Sequence, residues 1–154
     1  MKKYIYSLLT AAVLLFAAGC SKDDDGPKTV DSGVVGQWHQ TDWNGQMPSE
    51  FDVYVEFAVD GRCTIYQQVE TSFFEKRTGT YAVEGARLTG VYSSGAPWRS
   101  AYDFTLSADG NTLTMTSNAS AAVESVYVRT TIPEEIRNAP EVRSAHEADI
   151  PWIF

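Results

Sequence analysis

The sequence has few of the residues that carry out catalysis or bind metal ions. Its 154 residues include two cysteines and two histidines, and the histidines, His39 and His146, lie far apart along the chain. It also lacks a glycine-rich phosphate loop, a His-Glu-x-x-His pair and a Gly-x-Ser-x-Gly turn. A catalytic metal needs several ligands at close spacing, and covalent catalysis needs an activated nucleophile. We therefore predict no catalytic residue, no metal and no cofactor, and expect that the protein is not an enzyme.

Basic residues are also scarce. The chain has 12 Lys and Arg residues against 20 Asp and Glu residues, which gives a formal net charge of −8. Binding to phosphate backbones requires an excess of positive charge, so this balance argues against a nucleic-acid partner. The charge run Glu75, Lys76 and Arg77 is predicted to be a solvated part of a strand.

The apolar run near the start of the chain is too short for a membrane span. Two lysines follow Met1, and the residues from Ile5 to Ala18 are uncharged. As a helix, this run of about 14 residues would extend roughly 21 Å, whereas the hydrocarbon core of a bilayer is roughly 30 Å thick. A basic start before a short apolar run is typical of a signal peptide, which we assign to residues 1–19.

The predicted signal peptide ends at a cysteine. Small residues at positions 17–19 precede Cys20 and leave the backbone accessible to a signal peptidase. The segment resembles a bacterial lipobox. This resemblance implies cleavage before Cys20 and attachment of acyl chains such as palmitate, which together hold a protein on a membrane. The alternative is an ordinary secretory signal with an incidental cysteine.

An acidic segment follows the cysteine and resembles the export signal of Bacteroidetes lipoproteins. It consists of Ser21, Lys22, Asp23, Asp24 and Asp25. The resemblance implies an anchored protein on the outer face of the outer membrane, exposed at the cell surface; the alternative is a solvated tether without an addressing role. Residues 20–33 are predicted to be a lipidated flexible tether. Cys63 then has no cysteine partner in the mature chain and is predicted to be a buried structural thiol.

Short runs rich in β-forming residues alternate with turn signals over residues 34–131. In the clearest hairpin, which turns at Gly61, a two-residue turn would place the apolar residues of the two arms on opposite faces. A three-residue loop pairs Phe57 with Cys63 and Val55 with Ile65 on one face. The apolar pattern therefore favours the three-residue loop.

Two further hairpins follow the same rule. Four-residue loops place Val83 opposite Leu88 and Leu106 opposite Leu113. With the flanking runs, the pattern predicts about eight strands. An up-and-down meander of this size can close on itself, so we predict an all-β, antiparallel barrel.

The first and last predicted strands carry a motif that is similar to lipocalin-like barrels. Gly36 and Trp38 match the Gly-x-Trp that opens such barrels, and Arg129 stands where that family places a basic residue on its last strand. The chain resembles the small lipocalin-like domains of Bacteroidetes lipoproteins. This resemblance implies that the tryptophan closes the floor of the barrel and that the arginine packs over it in a cation–π contact.

The pattern changes in residues 132–154. Pro133, two glutamates and Arg137 predict one short helix that ends near Asn138. Apolar residues from Ile150 to Phe154 then predict a tail that packs on the outside or the rim of the barrel. The alternative is that Trp152 and Phe154 plug the barrel mouth or insert into a partner.

Aromatic and aliphatic residues on the inward register are the candidates for lining a ligand site. They are Phe57, Ile65, Tyr81, Phe104 and Met115. A second aromatic group is predicted to lie in loops or on the other register, with Trp43 and Trp98 as a candidate contact patch at one rim. The remaining members of this group are Tyr54, Tyr66, Tyr92 and Tyr102.

We expect a lipid-anchored envelope protein whose barrel binds a small hydrophobic ligand. The alternative is a barrel with a solid core that serves as a non-catalytic interaction module for an envelope protein partner. These two hypotheses differ in whether the interior of the barrel can accept a ligand.

Overall fold

The computed structural model describes residues 32–69, 71–142 and 154. The predicted signal peptide, Cys20, the acidic segment at residues 21–25, His146 and the tail residues up to 153 lie outside the described residues. Within the described part of the chain, no helix has the length and apolar character needed to cross a membrane.

Eight antiparallel strands form one closed barrel in which each strand pairs with its neighbours in sequence. The last strand pairs with the first, so the sheet has no open edge. The strands are β1 (Gly36–Trp43), β2 (Phe51–Phe57), β3 (Arg62–Val69), β4 (Glu75–Glu84), β5 (Arg87–Tyr92), β6 (Tyr102–Leu106), β7 (Thr112–Ser117) and β8 (Glu124–Arg129). One short helix, α1 (Glu134–Arg137), follows. The predicted all-β, up-and-down barrel with a short helix after it is confirmed.

The hairpin register follows the apolar pattern. Phe57 pairs with Cys63 and Val55 pairs with Ile65, as predicted from the need to keep both apolar sets on one face. Gly61 has a φ of +81°, the left-handed conformation that the loop requires. The two later hairpins have the predicted pairs as well, with Val83 opposite Leu88 and Leu106 opposite Leu113.

Trp38 closes one end of the barrel. Its side chain is completely buried, and its indole Nε1 donates a hydrogen bond of 2.7 Å to the carbonyl oxygen of Val34. The guanidinium carbon of Arg129 lies 4.2 Å from the centroid of the Trp38 ring. Arg129 also donates hydrogen bonds of 3.0 Å to the carbonyl oxygens of Gly33 and Val35. These contacts fix the turn that precedes β1 across the barrel floor.

Helix α1 packs on the outside of the barrel. Ile132, Ile136 and Ala139 are buried against Tyr66, whose side chain points away from the interior. Arg137 adds an ion pair of 3.4 Å to Glu56 on β2. The helix therefore covers the outer face of β2 and β3 and leaves the interior to the strands.

The buried thiol and phenols predict a loss of stability at alkaline pH. Burial raises the pKa of Cys63 to about 12 and that of Tyr102 to about 12. In an unfolded chain these groups titrate near pH 8.5 and 10, so the unfolded state loses its protons first. The free energy of unfolding should therefore stay level up to about pH 8.5 and fall by a few kcal/mol between about pH 9 and 12.

Urea denaturation at a series of pH values would measure this decline, using a soluble chain that begins at Ser21. Cys63→Ala is the matched variant. Without the thiol, the free energy of unfolding should begin to fall only where tyrosines titrate in the unfolded chain, at about pH 10. A free energy of unfolding that does not change up to about pH 11 would contradict the burial of these groups.

Candidate binding site in the barrel interior

The interior is polar at the end opposite Trp38. Because the strands alternate in direction, the ends of β1, β3, β5 and β7 and the starts of β2, β4, β6 and β8 meet there. We call this region the far end. Buried polar and charged side chains lie on the inward register of these strand ends: Gln40, Gln67, Arg77, Ser117 and Ser125. Barrel interiors of this size are usually filled by apolar side chains, so this cluster needs an explanation.

Two glutamine oxygens at the far end are buried without a hydrogen bond. Gln40 and Gln67 are 1% and 3% exposed. Among the described residues, neither side-chain Oε1 has a hydrogen-bond partner. Gln40 uses its Nε2 to donate a hydrogen bond of 3.3 Å to the carbonyl oxygen of Asp42. An unsatisfied buried polar group costs about 1–3 kcal/mol, so these amides are poorly matched to a purely apolar interior.

Arg77 brings a positive charge into the far end. The side chain is 3% exposed, and its guanidinium carbon lies 5.9 Å from the centroid of the Tyr92 ring. The backbone of Arg77 pairs with Ile65, and Tyr81, four residues further along β4, is also buried in the core. The prediction that residues 75–77 form a solvated charge run is therefore wrong for Arg77, which follows the inward alternation of β4.

Phe154 occupies the far end. It is 1% exposed, and its ring centroid lies 4.9 Å from that of Trp98 and 5.3 Å from that of Tyr102. The Tyr92 hydroxyl donates a hydrogen bond of 2.8 Å to the main-chain oxygen of Phe154. Phe154 thus lies inside the barrel. This position agrees with the alternative prediction that Trp152 and Phe154 plug the barrel mouth. Trp152 itself lies outside the described residues.

A cleft of about 170 Å³ opens at the rim of the far end. Its lining includes Trp43, Arg99, Tyr102, Ser117 and Ser125. Tyr102, one of the lining residues, also contacts the Phe154 ring. The cleft therefore lies next to the part of the interior that Phe154 occupies.

A family model described as a lipocalin-like domain matches residues 34–115, just over half of the chain. The chain belongs to the lipocalin-like domain family. One solved structure similar to this lipocalin-like chain is named "REP1-NXSQ fatty acid transporter"; it is 10% identical, with a TM-score of 0.39 over 64% of this chain and 97% of that chain. No curated protein matches the chain.

Three aromatic residues of the lipocalin-like barrel were predicted to lie in loops or on the other register, but they are buried in the core: Tyr92, Trp98 and Tyr102. Tyr92 and Tyr102 have the same parity as Leu88 and Phe104, so alternation along β5 and β6 was the signal that could have placed them inside. The prediction that Trp98 belongs to a rim contact patch is wrong.

Trp98 reaches the core because its loop folds back. The backbone nitrogen of Trp98 donates a hydrogen bond of 2.9 Å to the carbonyl oxygen of Gly90, and its indole lies directly over that glycine. Trp43, the other member of the predicted patch, is half-buried and stacks on Phe51 with the ring centroids 5.1 Å apart.

The predicted lining residues form the packed part of the lipocalin-like interior. Phe57 and Tyr81 lie with their ring centroids 4.8 Å apart, and the Tyr81 hydroxyl donates a hydrogen bond of 2.9 Å to the carbonyl oxygen of Ala58. Ile65 and Met115 are buried in the same cluster, and Phe104 is partly buried against it. The polar residues around Phe154 were not predicted as a site, because only apolar side chains were considered as lining.

On the outer surface of β1 and β2, a histidine and a carboxylate lie within hydrogen-bond distance of each other. His39 Nε2 lies 2.8 Å from Asp52 Oδ1, and the imidazole stacks on Tyr54 with the ring centroids 4.3 Å apart. Across the described ranges, no three His, Cys, Asp or Glu side chains are placed to hold a metal ion.

Proposed function

We propose that this lipocalin-like protein binds a small hydrophobic ligand inside its barrel, without catalysis. One observation carries the proposal: the far end holds the Phe154 ring, which belongs to none of the eight strands. The strands close on one another without it. This compartment already buries an apolar ring that is not part of the barrel strands, so it can bury a similar group of a ligand.

The polar side chains around the compartment support a binding role over a purely structural one. An interior selected only for stability would pair its amides or replace them with apolar residues, since unsatisfied buried groups are costly. Binding sites commonly combine an apolar wall with a few polar groups that orient the ligand. Gln40 and Gln67 provide such groups on the inner face of the barrel, at the end where Trp98 and Tyr102 pack on Phe154.

Native mass spectrometry of the protein purified from its own host tests the proposal. The expected result is a fraction of molecules with one additional small mass, which organic solvent removes. A single mass without any adduct, together with no uptake of apolar compounds by the stripped protein, would contradict ligand binding.

We further propose that the protein is an outer-membrane lipoprotein held by acyl chains on Cys20. The support is the sequence pattern of a basic start, a short apolar run and small residues before the cysteine. The acidic segment at residues 21–25 supports exposure at the cell surface. On this proposal, residues 20–33 are the tether between the lipid and β1.

Cys20→Ser should release the protein from the membrane. Without the thiol there is no site for acylation, and anchoring at about 0.8 kcal/mol per buried methylene is lost. Fractionation of the host should move most of the protein from the membrane pellet to other fractions. Cys63→Ser is the matched control and should leave the protein in the pellet. A membrane-bound Cys20→Ser variant would contradict lipidation at this position.

The alternative function, an interaction module for an envelope protein, also has an observation in its favour. Phe73 is 53% exposed beside an apolar cleft of about 430 Å³ between the β3–β4 loop and α1. A photo-crosslinking residue at position 73 should then yield one specific adduct in the host. The same residue at Val91, which is also exposed, is the control. Equal labelling from both positions would contradict this function.

A further inference from the structure

We infer that the cleft between the β3–β4 loop and α1 docks a basic segment of a protein partner. An apolar side chain of that segment would enter the cleft, with a lysine or arginine beside it. This inference rests on the interaction role proposed above as the alternative function and specifies the chemistry of the partner. We call the region the helix cleft; its lining includes Phe73, Phe74, Glu135, Ile136, Ala139 and Pro140.

Two consecutive phenylalanines form the loop side of the helix cleft. Phe74 is partly buried against the apolar cluster beneath α1, with its ring centroid 6.0 Å from that of Tyr54. Phe73 is 53% exposed, although phenylalanine is among the residues most often buried. An exposed aromatic ring that continues into an apolar cleft indicates an interaction surface more strongly than a single exposed apolar residue does.

Hydrogen bonds within the β3–β4 loop hold Phe73 in this exposed position. Gln68 Nε2 donates a hydrogen bond of 2.8 Å to the carbonyl oxygen of Thr71. Thr71 Oγ1 in turn donates a hydrogen bond of 2.8 Å to the carbonyl oxygen of Phe73. A surface that is ordered before binding loses less conformational entropy when a partner docks, so this loop is suited to recognition.

The helix cleft presents a negative charge. Among the described residues of its lining, Glu135 alone is charged; it is exposed and forms no ion pair with another described residue. Two cations near α1 already have partners. Lys76 Nζ donates a hydrogen bond of 3.3 Å to the carbonyl oxygen of Arg137, and the Arg137 guanidinium pairs with Glu56 at 3.4 Å. The carboxylate of Glu135 is therefore available to a cation of the partner.

The ionisation of Tyr54 is consistent with this negative field. Burial raises the pKa of Tyr54, and the carboxylates of Asp52 and Glu135 raise it further. Because Tyr54 packs against Phe74, the same carboxylates act on the surface to which the helix cleft belongs.

Charge distinguishes the candidate occupants of the helix cleft. A second copy of the chain would bring another Glu135 and a formal net charge of −8 to this surface, and like charges that face each other oppose association. Anionic lipid head groups are disfavoured for the same reason. A segment with an apolar residue next to a lysine or arginine matches both the phenylalanine wall and the carboxylate.

Selection from a phage library of random dodecapeptides tests this inference, with the soluble chain from Ser21 to Phe154 as the bait. We expect the selected peptides to share an aliphatic or aromatic residue with a lysine or arginine next to it. Synthetic copies with a fluorescent label then give dissociation constants by fluorescence anisotropy. Replacement of the basic residues of such a peptide by glutamine should weaken its binding and remove its sensitivity to charge at position 135.

Two variants of the protein, each with a matched control, locate the site. Phe73→Ser should weaken binding at least about tenfold, whereas Val91→Ser, which also removes an exposed apolar side chain, should not. Glu135→Lys should weaken binding about fivefold at low salt and less at high salt. Glu84→Lys makes the same change of charge at an exposed position on the β4–β5 hairpin and should alter the affinity less than about twofold. All four positions are exposed, and thermal melting by circular dichroism checks that each variant is folded.

The outcomes separate the chemistry of the partner from the interaction role itself. Selected peptides without basic residues, or equal effects of Glu135→Lys and Glu84→Lys, would overturn the basic partner and leave the interaction role in place. A selection in which no peptide depends on Phe73 would overturn the helix cleft as a docking site. The interaction role is contradicted separately, by equal photo-labelling from positions 73 and 91.

Two further measurements cover the other occupants. Dimerisation in analytical ultracentrifugation that Phe73→Ser abolishes would identify a second copy as the occupant and overturn the inference. Binding to vesicles that contain phosphatidylglycerol, if Phe73→Ser abolishes it, would identify a membrane surface instead and overturn it as well. We expect a monomer and no binding to these vesicles.

Discussion

Replacing Trp38 by alanine should reduce the free energy of unfolding by about 4 kcal/mol, which is close to the whole stability of many small domains. The side chain is fully buried at the closed end of the barrel. Its loss leaves a cavity, an unpaired carbonyl at Val34 and no ring beneath the Arg129 guanidinium. Because Arg129 and Trp38 pair across β1 and β8, the damage lies at the seam that closes the sheet.

Urea denaturation followed by far-ultraviolet circular dichroism would measure this loss. Trp43→Ala is the matched control, since Trp43 is a half-buried tryptophan at the other end of β1. Its effect should be no more than about half that of Trp38→Ala, in line with its smaller burial. A reduction below about 1.5 kcal/mol for Trp38→Ala would contradict the role of this residue as the barrel floor.

Gly90→Ala should reduce the free energy of unfolding by about 2–3 kcal/mol, although alanine is only one methyl group larger. A Cβ at position 90 would overlap the six-membered ring of the Trp98 indole, which rests on the glycine. Trp98 is itself packed against Phe154 and Tyr102, so its ring has little freedom to move away. The strain would therefore fall on the loop that brings Trp98 into the core.

A double-mutant cycle tests the origin of this effect. Trp98→Phe introduces a smaller ring, so the cost of Gly90→Ala should fall by at least about 1 kcal/mol in that background. Thr89→Ala, an exposed neighbour on the same strand, should change stability by less than about 0.5 kcal/mol. Equal costs of Gly90→Ala in both backgrounds would contradict the contact with Trp98.

Local alternation in the sequence was enough to predict the barrel. The pairing of Val55 with Ile65 follows from the rule that a one-residue slip would turn one apolar set to solvent. Gly36, Trp38 and Arg129 carried a resemblance to lipocalin-like barrels, and the structure places Arg129 over the Trp38 ring. These features depend on neighbours in the sheet, which a meander keeps close in sequence.

The far end was missed because its residues do not look like core. Arg77 was predicted to be solvated because it belongs to a charge run, and Gln40 and Gln67 were not considered, although the strand register of all three points inward. Trp98 depends on the folding back of a loop, and Phe154 depends on contacts with strands more than 25 residues away in sequence. Such long-range packing is fixed by the assembled fold rather than by local pattern.

Fluorine NMR of the chain from Ser21 to Phe154, labelled with 4-fluorophenylalanine, tests the central claim most directly. The Phe154 resonance is assigned by its absence from Phe154→Ser. On addition of 3-phenylpropan-1-ol, an uncharged compound with one phenyl ring, our account predicts that this resonance moves to the position of a solvent-exposed ring, while those of buried phenylalanines such as Phe57 move little. A Phe154 resonance that stays unchanged at a saturating concentration of this compound would contradict the claim that the far end of the barrel is the ligand site.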